Sequence, residues 1–301
     1  MSSTIISNDN PFQPLLTTTN NNPETLQTHY TTHRTTRQKS QTTKLLAPDF
    51  HGFTIDPILR RLAGPEQEPD YVDPRNCLTV WARPPQHIRD LIRSIQTDLQ
   101  DVAPDAWFMP PESLHTTVLE ITHSVSAEEI EGLVRLLRGA GGGATLAEIR
   151  GLAGVKPVGL VRPMVCFDGA GVAVCFLPGI TSACRGGGQG GSAQEDGAHY
   201  SYHHLRRDVF ELVRGAGLPV ASRYIVPSAH VTIGRFVSDR WFKGEDGGVD
   251  RERVAEFVRK VEEVNERLEG SECEWVVGGE GDPGLVVRRG RLWYGGGEDV
   301  V

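Results

Sequence analysis

Two stretches of this chain, 115 residues apart, repeat one plan and leave few architectures open. Ser113-Leu-His-Thr-Thr-Val-Leu-Glu-Ile121 and Ser228-Ala-His-Val-Thr-Ile-Gly-Arg-Phe236 each place a His-x-Thr tripeptide after a small polar and an apolar residue, then run into a β-prone segment. Pro-containing turns, Met109-Pro-Pro-Glu112 and Val226-Pro-Ser228, precede them. Side chains alternate along a strand, so His115 and Thr117 should share one face, as should His230 and Thr232. The tripeptide alone means little. It also occurs at His29-Tyr30-Thr31 and His33-Arg34-Thr35, inside a Thr- and Asn-rich stretch where coincidence accounts for it.

The surroundings of both motifs have matching periodicity. A strand at 77–81 is followed by Pro84-Pro85 and a helical face of Ile88, Leu91, Ile92, Ile95 and Leu99, which should end before Pro104. After the first motif, Ser126-Ala-Glu-Glu129 reads as a capping box for a helix bearing Ile130, Leu133, Val134 and Leu137, closed by glycines at 139–143. Strands at 160–167 and 171–177 flank the hairpin signal Asp168-Gly169. Helices are expected at 200–214 and 250–268, on either side of the second motif, and β segments at 275–277, 285–288 and 291–294. The order predicts an α+β fold, duplicated and two-lobed, with antiparallel sheets lining a central cleft and helices packed outside. The two motifs should face each other across that cleft, related by a pseudo-twofold.

Composition sets the outer limits. With 301 residues, 38% hydrophobic and 23% charged, the chain is ordinary for a globular protein. No run approaches the roughly 18 apolar residues of a membrane span, and no signal-peptide layout is visible, so a soluble chain in cytoplasm or nucleus is expected. Residues 1–46 are rich in Thr, Asn, Ser and Gln and read as a disordered tail, a transit peptide being the sharper alternative. Residues 47–72 read as a linker or partly ordered lead-in, 73–296 as the folded domain with a flexible Gly-rich insert at 185–198, and 297–301 as a tail. Five widely spaced cysteines without a Cys-x-x-Cys pair predict reduced thiols and neither a zinc site nor a redox motif. The net charge of −8 argues against duplex DNA as a partner, but not against a nucleotide or an RNA end. Membrane partners and cofactors are not expected, and a monomer is.

Two imidazoles meeting across a cleft with a phosphate's width between them can act as base and acid without a metal. Thr117 and Thr232 would donate hydroxyl hydrogen bonds to the non-bridging oxygens. Neither motif has a His or carboxylate at the usual metal-ligand spacing.

The paired His-x-Thr-apolar motifs, their separation and their flanking helices resemble the 2H phosphoesterase superfamily, which includes cyclic nucleotide phosphodiesterases and the so-called 2′-5′ RNA ligases. The two motif segments look most like fungal members of the RNA ligase or cyclic nucleotide phosphodiesterase type. The resemblance covers about residues 73–296 and leaves the tail and the Gly-rich insert unmatched. It implies catalytic roles for His115 and His230 and phosphate binding by Thr117 and Thr232. The implied activity is a phosphodiesterase acting on a 2′,3′-cyclic phosphate or a related RNA-end phosphodiester. Two alternatives stay open: a non-catalytic nucleotide- or RNA-binding module of the same fold, and 2′-5′ ligation, which runs the same chemistry backwards.

Further residues have weaker claims. Arg223, Tyr224 and Arg235 flank the second motif and are candidates for stacking a base or holding a phosphate. Glu120 lies at an odd offset from His115 and should face the other side of a regular strand. His199 and His203, four apart, together with His204, read more simply as a solvated helix start than as metal ligands. Arg288, Arg289 and Arg291 read as a solvated β-turn.

Overall fold

The computed structural model describes residues 9–139, 142–179 and 200–301. Its elements follow in the order α1 (Gln13–Thr18), α2 (Pro23–Leu46), α3 (Pro57–Ala63), β1 (Asn76–Ala82), α4 (Gln86–Gln100), β2 (Ala106–Phe108), β3 (Thr116–Val125), α5 (Ala127–Arg138), α6 (Gly142–Val155), β4 (Val158–Asp168), β5 (Gly171–Pro178), α7 (Tyr202–Gly215), β6 (Ala229–Phe236), α8 (Arg251–Leu268), β7 (Glu274–Val277), β8 (Leu285–Gly290) and β9 (Glu298–Asp299). This is an α+β fold. In place of the separate sheets expected of two lobes, the strands form a single antiparallel sheet in the order β7-β4-β5-β6-β3-β1-β8-β9, with β2 paired to β6.

The motif strands are placed by a recurring unit. In β1-α4-β3-α5 and again in β5-α7-β6-α8, a strand is followed by a helix, and the chain returns as an antiparallel neighbour carrying His-x-Thr. Local sequence explains the helices: α4 buries Ile88, Ile92, Ile95 and Leu99 at helical spacing, each contributing about 1.5–3 kcal/mol. Ser126 and Glu129 close the expected capping box on α5, and Asp250 caps α8 by accepting from the amides of Glu252 and Arg253. A Cβ at Gly234 would stand 3.2 Å from the Phe108 ring, so glycine there lets β2 lie against the second motif strand. The two units meet between β3 and β6 through one recorded pair, Thr116 opposite Val231.

Several expectations are overturned. Residues 13–18 and 23–46 are helical, and Phe12, Leu16, Leu26, Tyr30 and Leu45 are buried in the common core. Helix α6 starts at Gly142, within the glycines expected to close α5, and runs on to Val155. Residues 291–294 form a turn, and the last strand is Glu298–Asp299, paired with β8 in the segment expected to be a tail, with Val300 buried behind it. Arg288 and Arg289 belong to strand β8, where Arg288 is buried and donates to Asp299 and to the carbonyls of Gly296 and Gly297. The Gly-rich insert, Cys184 and His199 lie outside the described residues. Cys77, Cys166, Cys175 and Cys273 carry no disulfide. No described helix is long and apolar enough to cross a membrane.

Candidate functional site

The Thr116–Val231 pair sets the geometry of the site. Both of these side chains are buried on the core side, so their neighbours in sequence point the other way. Continuing the antiparallel register by one residue in each direction sets His115 opposite Thr232 and Thr117 opposite His230. Directly opposed Cβ atoms lie about 4.5–5.5 Å apart, so two imidazoles and two hydroxyls form one four-cornered patch. All four residues line one cavity, together with Trp81, Glu120, Arg223, Tyr224 and Arg235. Thus Arg223, Tyr224 and Arg235 all join the site.

Each imidazole is oriented through Nδ1 by the residue two places before it. His115 Nδ1–H donates to the Ser113 carbonyl at 2.8 Å, while His230 Nδ1 shares a hydrogen bond with the Ser228 hydroxyl at 3.0 Å. Both Nε2 atoms, and both threonine hydroxyls, are left without a protein partner among the described residues. The Trp81 indole lies flat on His115, ring centroids 3.5 Å apart and planes within 10°. From behind, Tyr202 of α7 donates its hydroxyl to the Thr117 carbonyl at 3.1 Å. Arg206, buried on the same helix, donates to the carbonyls of Val118, Tyr224 and Val226, tying the first motif strand to the loop before the second.

Burial pushes both histidines down to about 4. Nearby cations add to this, Arg83 and then His230 for His115, and Arg206, Arg37 and Arg235 for His230. An imidazolium here therefore requires an incoming anion. Arg223 holds a fork on Glu120, with its Nη2 at 2.6 Å and its Nε at 3.1 Å from the two carboxylate oxygens, so much of its charge is compensated. Arg235 has no carboxylate partner among the described residues, and its buried Nε is unpaired.

Glu120 corrects an expectation. Strict alternation would turn it away from His115, yet it lines the same cavity because the β1–β3 register shifts between Val80 and Trp81. Trp81 pairs with Thr117 and Val80 with Leu119, so Val118 is an extra residue and the alternation inverts after it. His203 and His204 are also not solvated. Both are buried: His203 Nε2–H donates to the Phe12 carbonyl at 3.0 Å and its Nδ1 accepts from the Tyr30 hydroxyl at 2.9 Å. His204 contacts Asn21 Oδ1 through Nε2. The two histidines therefore dock the N-terminal helices.

A second, larger cavity of about 330 Å³ adjoins the first and shares Tyr224, His230, Thr232 and Arg235 with it. Its far wall is helix α2, which contributes His33, Arg34 and Arg37. One of the tripeptides set aside as coincidence, His33-Arg34-Thr35, thus supplies part of the site, and only the tertiary packing of α2 reveals it. No family model matches the chain, and a search of curated proteins finds no match.

Proposed function

We propose that the chain is a metal-independent phosphodiesterase of the 2H phosphoesterase type, hydrolysing a 2′,3′-cyclic phosphate or a related RNA-end phosphodiester. The observation that carries this reading is the four-cornered array of His115, Thr117, His230 and Thr232, with both Nε2 atoms unpartnered in one cavity. The duplicated strand-helix-strand-helix units support the two-lobed relation of that family's motifs.

The Nδ1 partners suggest a division of labour. A carbonyl can only accept, so neutral His115 is held as the Nδ1–H tautomer with a lone pair on Nε2, the form of a base. Ser228 can accept as well as donate, so a His230 imidazolium, formed as the anionic substrate binds, keeps its Nδ1–H hydrogen-bonded and offers its Nε2–H as the acid. His115 then takes a proton from water as the water oxygen bonds to phosphorus. His230 protonates the ribose oxygen as its bond to phosphorus breaks, leaving a phosphomonoester and a free hydroxyl. Thr117 and Thr232 donate to the non-bridging oxygens as charge builds there, and Arg235 supplies a nearby cation.

The test is turnover of the four nucleoside 2′,3′-cyclic phosphates and a cyclic-phosphate-ended oligonucleotide in the presence of chelator. Activity that falls by about 10² or more in each of His115→Ala and His230→Ala supports the reading. No turnover by the wild type, or turnover indifferent to both changes, rejects it. Tight nucleotide binding without product would instead indicate a binding module.

A further inference from the structure

We propose that the larger cavity is an anion subsite built by helix α2, taking a second phosphate carried by the substrate on the ribose 5′ side of a nucleoside 2′,3′-cyclic phosphate. This rests on reading the His115–His230 patch as the site of the scissile phosphate.

Size and position come first. At about 330 Å³ the cavity falls within the range of small-molecule sites, and it opens directly beside His230 and Thr232. Tyr224 lines both cavities, offering an aromatic face between the two ends of a nucleotide.

Charge decides the class of ligand. On a chain of net charge −8, the wall carries Arg34, Arg37, His33 and Arg235 against one carboxylate, Asp168. That carboxylate is already held by Arg37 at 2.6 Å. Arg34 donates only to the carbonyls of Arg162 and Cys175, at 2.6 and 3.1 Å, and its buried Nε is unpaired, as is that of Arg235. Two guanidinium charges are therefore uncompensated among the described residues, a costly arrangement in a half-buried cavity unless an anion arrives. A guanidinium fork matches phosphate oxygens in geometry as well as charge.

The wall is also fixed in place. Gln27 donates to the Pro178 carbonyl at 2.8 Å, and Gln38 accepts from the Phe167 amide at 3.1 Å, so α2 is tied along the β4–β5 hairpin on both sides of Arg34. A phosphate arriving there meets donors that need little reorganisation.

Arg37 and Asp168 allow a test with opposite signs. Arg37→Gln removes a cation and frees a carboxylate to repel the ligand. Asp168→Asn releases Arg37 and keeps an Oδ1 for the turn amides of Ala170 and Gly171. Arg37 is half exposed, so neither change should prevent folding. The measurement is the ratio of kcat/KM for 5′-phosphorylated over 5′-hydroxyl adenosine 2′,3′-cyclic phosphate. Wild type should favour the phosphorylated substrate by about tenfold or more, Arg37→Gln should bring the ratio towards one, and Asp168→Asn should raise it. A wild-type ratio near one, or a ratio untouched by Arg37→Gln, overturns the subsite. If neither substrate turns over, the reading of the scissile site has failed, and the subsite is judged by calorimetry with adenosine 3′,5′-bisphosphate and adenosine 3′-phosphate. Tighter binding of the bisphosphate, weakened in Arg37→Gln, would uphold the subsite alone; equal affinities would overturn it.

Discussion

Trp81 covers one face of the His115 ring, with centroids 3.5 Å apart and planes nearly parallel, while the Ser113 carbonyl holds the ring edge. The indole is itself almost fully buried, so it both positions the imidazole and keeps water from it. Burial is the leading reason His115 is pushed down to about 4. Trp81→Leu should expose the ring, raise its titration towards the ordinary histidine value and lower kcat/KM by about 10- to 100-fold through lost orientation. Proton NMR of His115 alongside steady-state kinetics checks this. An unchanged titration with an unchanged rate would show that the stack is only packing.

The two threonine hydroxyls are separable from the fold by near-isosteric replacement. Thr117→Val and Thr232→Val keep the β-branched shape on the strand and remove one donor each. Each should lower kcat/KM by about 10²–10³, the usual consequence of losing an oxyanion donor, whereas Thr→Ser at either position should retain most activity. A Val variant with wild-type rate would remove that threonine from the phosphate site.

The four helices α4, α5, α7 and α8 are legible in the sequence because each carries an apolar stripe at helical spacing, and the motif strands because β-branched residues alternate between Pro-rich turns. Helix α2 is not legible. Its buried apolar residues are only Leu26, Tyr30 and Leu45, and much of its inward contact is polar, through Gln27, Arg34 and Gln38. An amphipathic pattern cannot reveal a helix whose docking is done by hydrogen bonds. Glu120 is hidden for a different reason. The bulge that turns it inward is created by pairing with β1, which lies 36 or more residues earlier in the chain and leaves no local mark.

Anion binding should take up a proton. With no ligand bound, both histidines titrate near 4 and are neutral at pH 7. A phosphate between them favours the imidazolium, so the bound-state pKa of at least one must rise. Affinity for a nucleoside monophosphate product should therefore weaken as pH increases through that raised value, by up to about tenfold per pH unit. Calorimetry in buffers of different ionisation enthalpy should show net proton uptake near pH 7, reduced in His230→Ala. Zero uptake, or proton release, would contradict the paired-imidazole site.

His203 should make the docking of the N-terminal helices sensitive to acid. Burial, reinforced by Arg206, pushes it down to about 3, and its neutral form satisfies both the Tyr30 hydroxyl and the Phe12 carbonyl. The unfolded chain binds a proton at the ordinary histidine pKa of about 6.5, so between there and about 3 it holds more protons than the folded one. Stability from this group is thus fully present above about pH 6.5 and is lost as pH falls towards 3. His203→Phe keeps an aromatic ring but leaves the Tyr30 and Phe12 groups unpaired, costing about 1–3 kcal/mol at pH 7. Because the variant has no proton to bind at this position, the gap between wild type and variant should shrink as pH is lowered from 7 to 4. Urea unfolding at several pH values measures that gap, and hydrogen exchange in α2 should quicken in the variant. A gap that stays constant or widens in acid would mean His203 is not buried in its neutral form, and the N-terminal helices would then have to be held by their apolar residues alone.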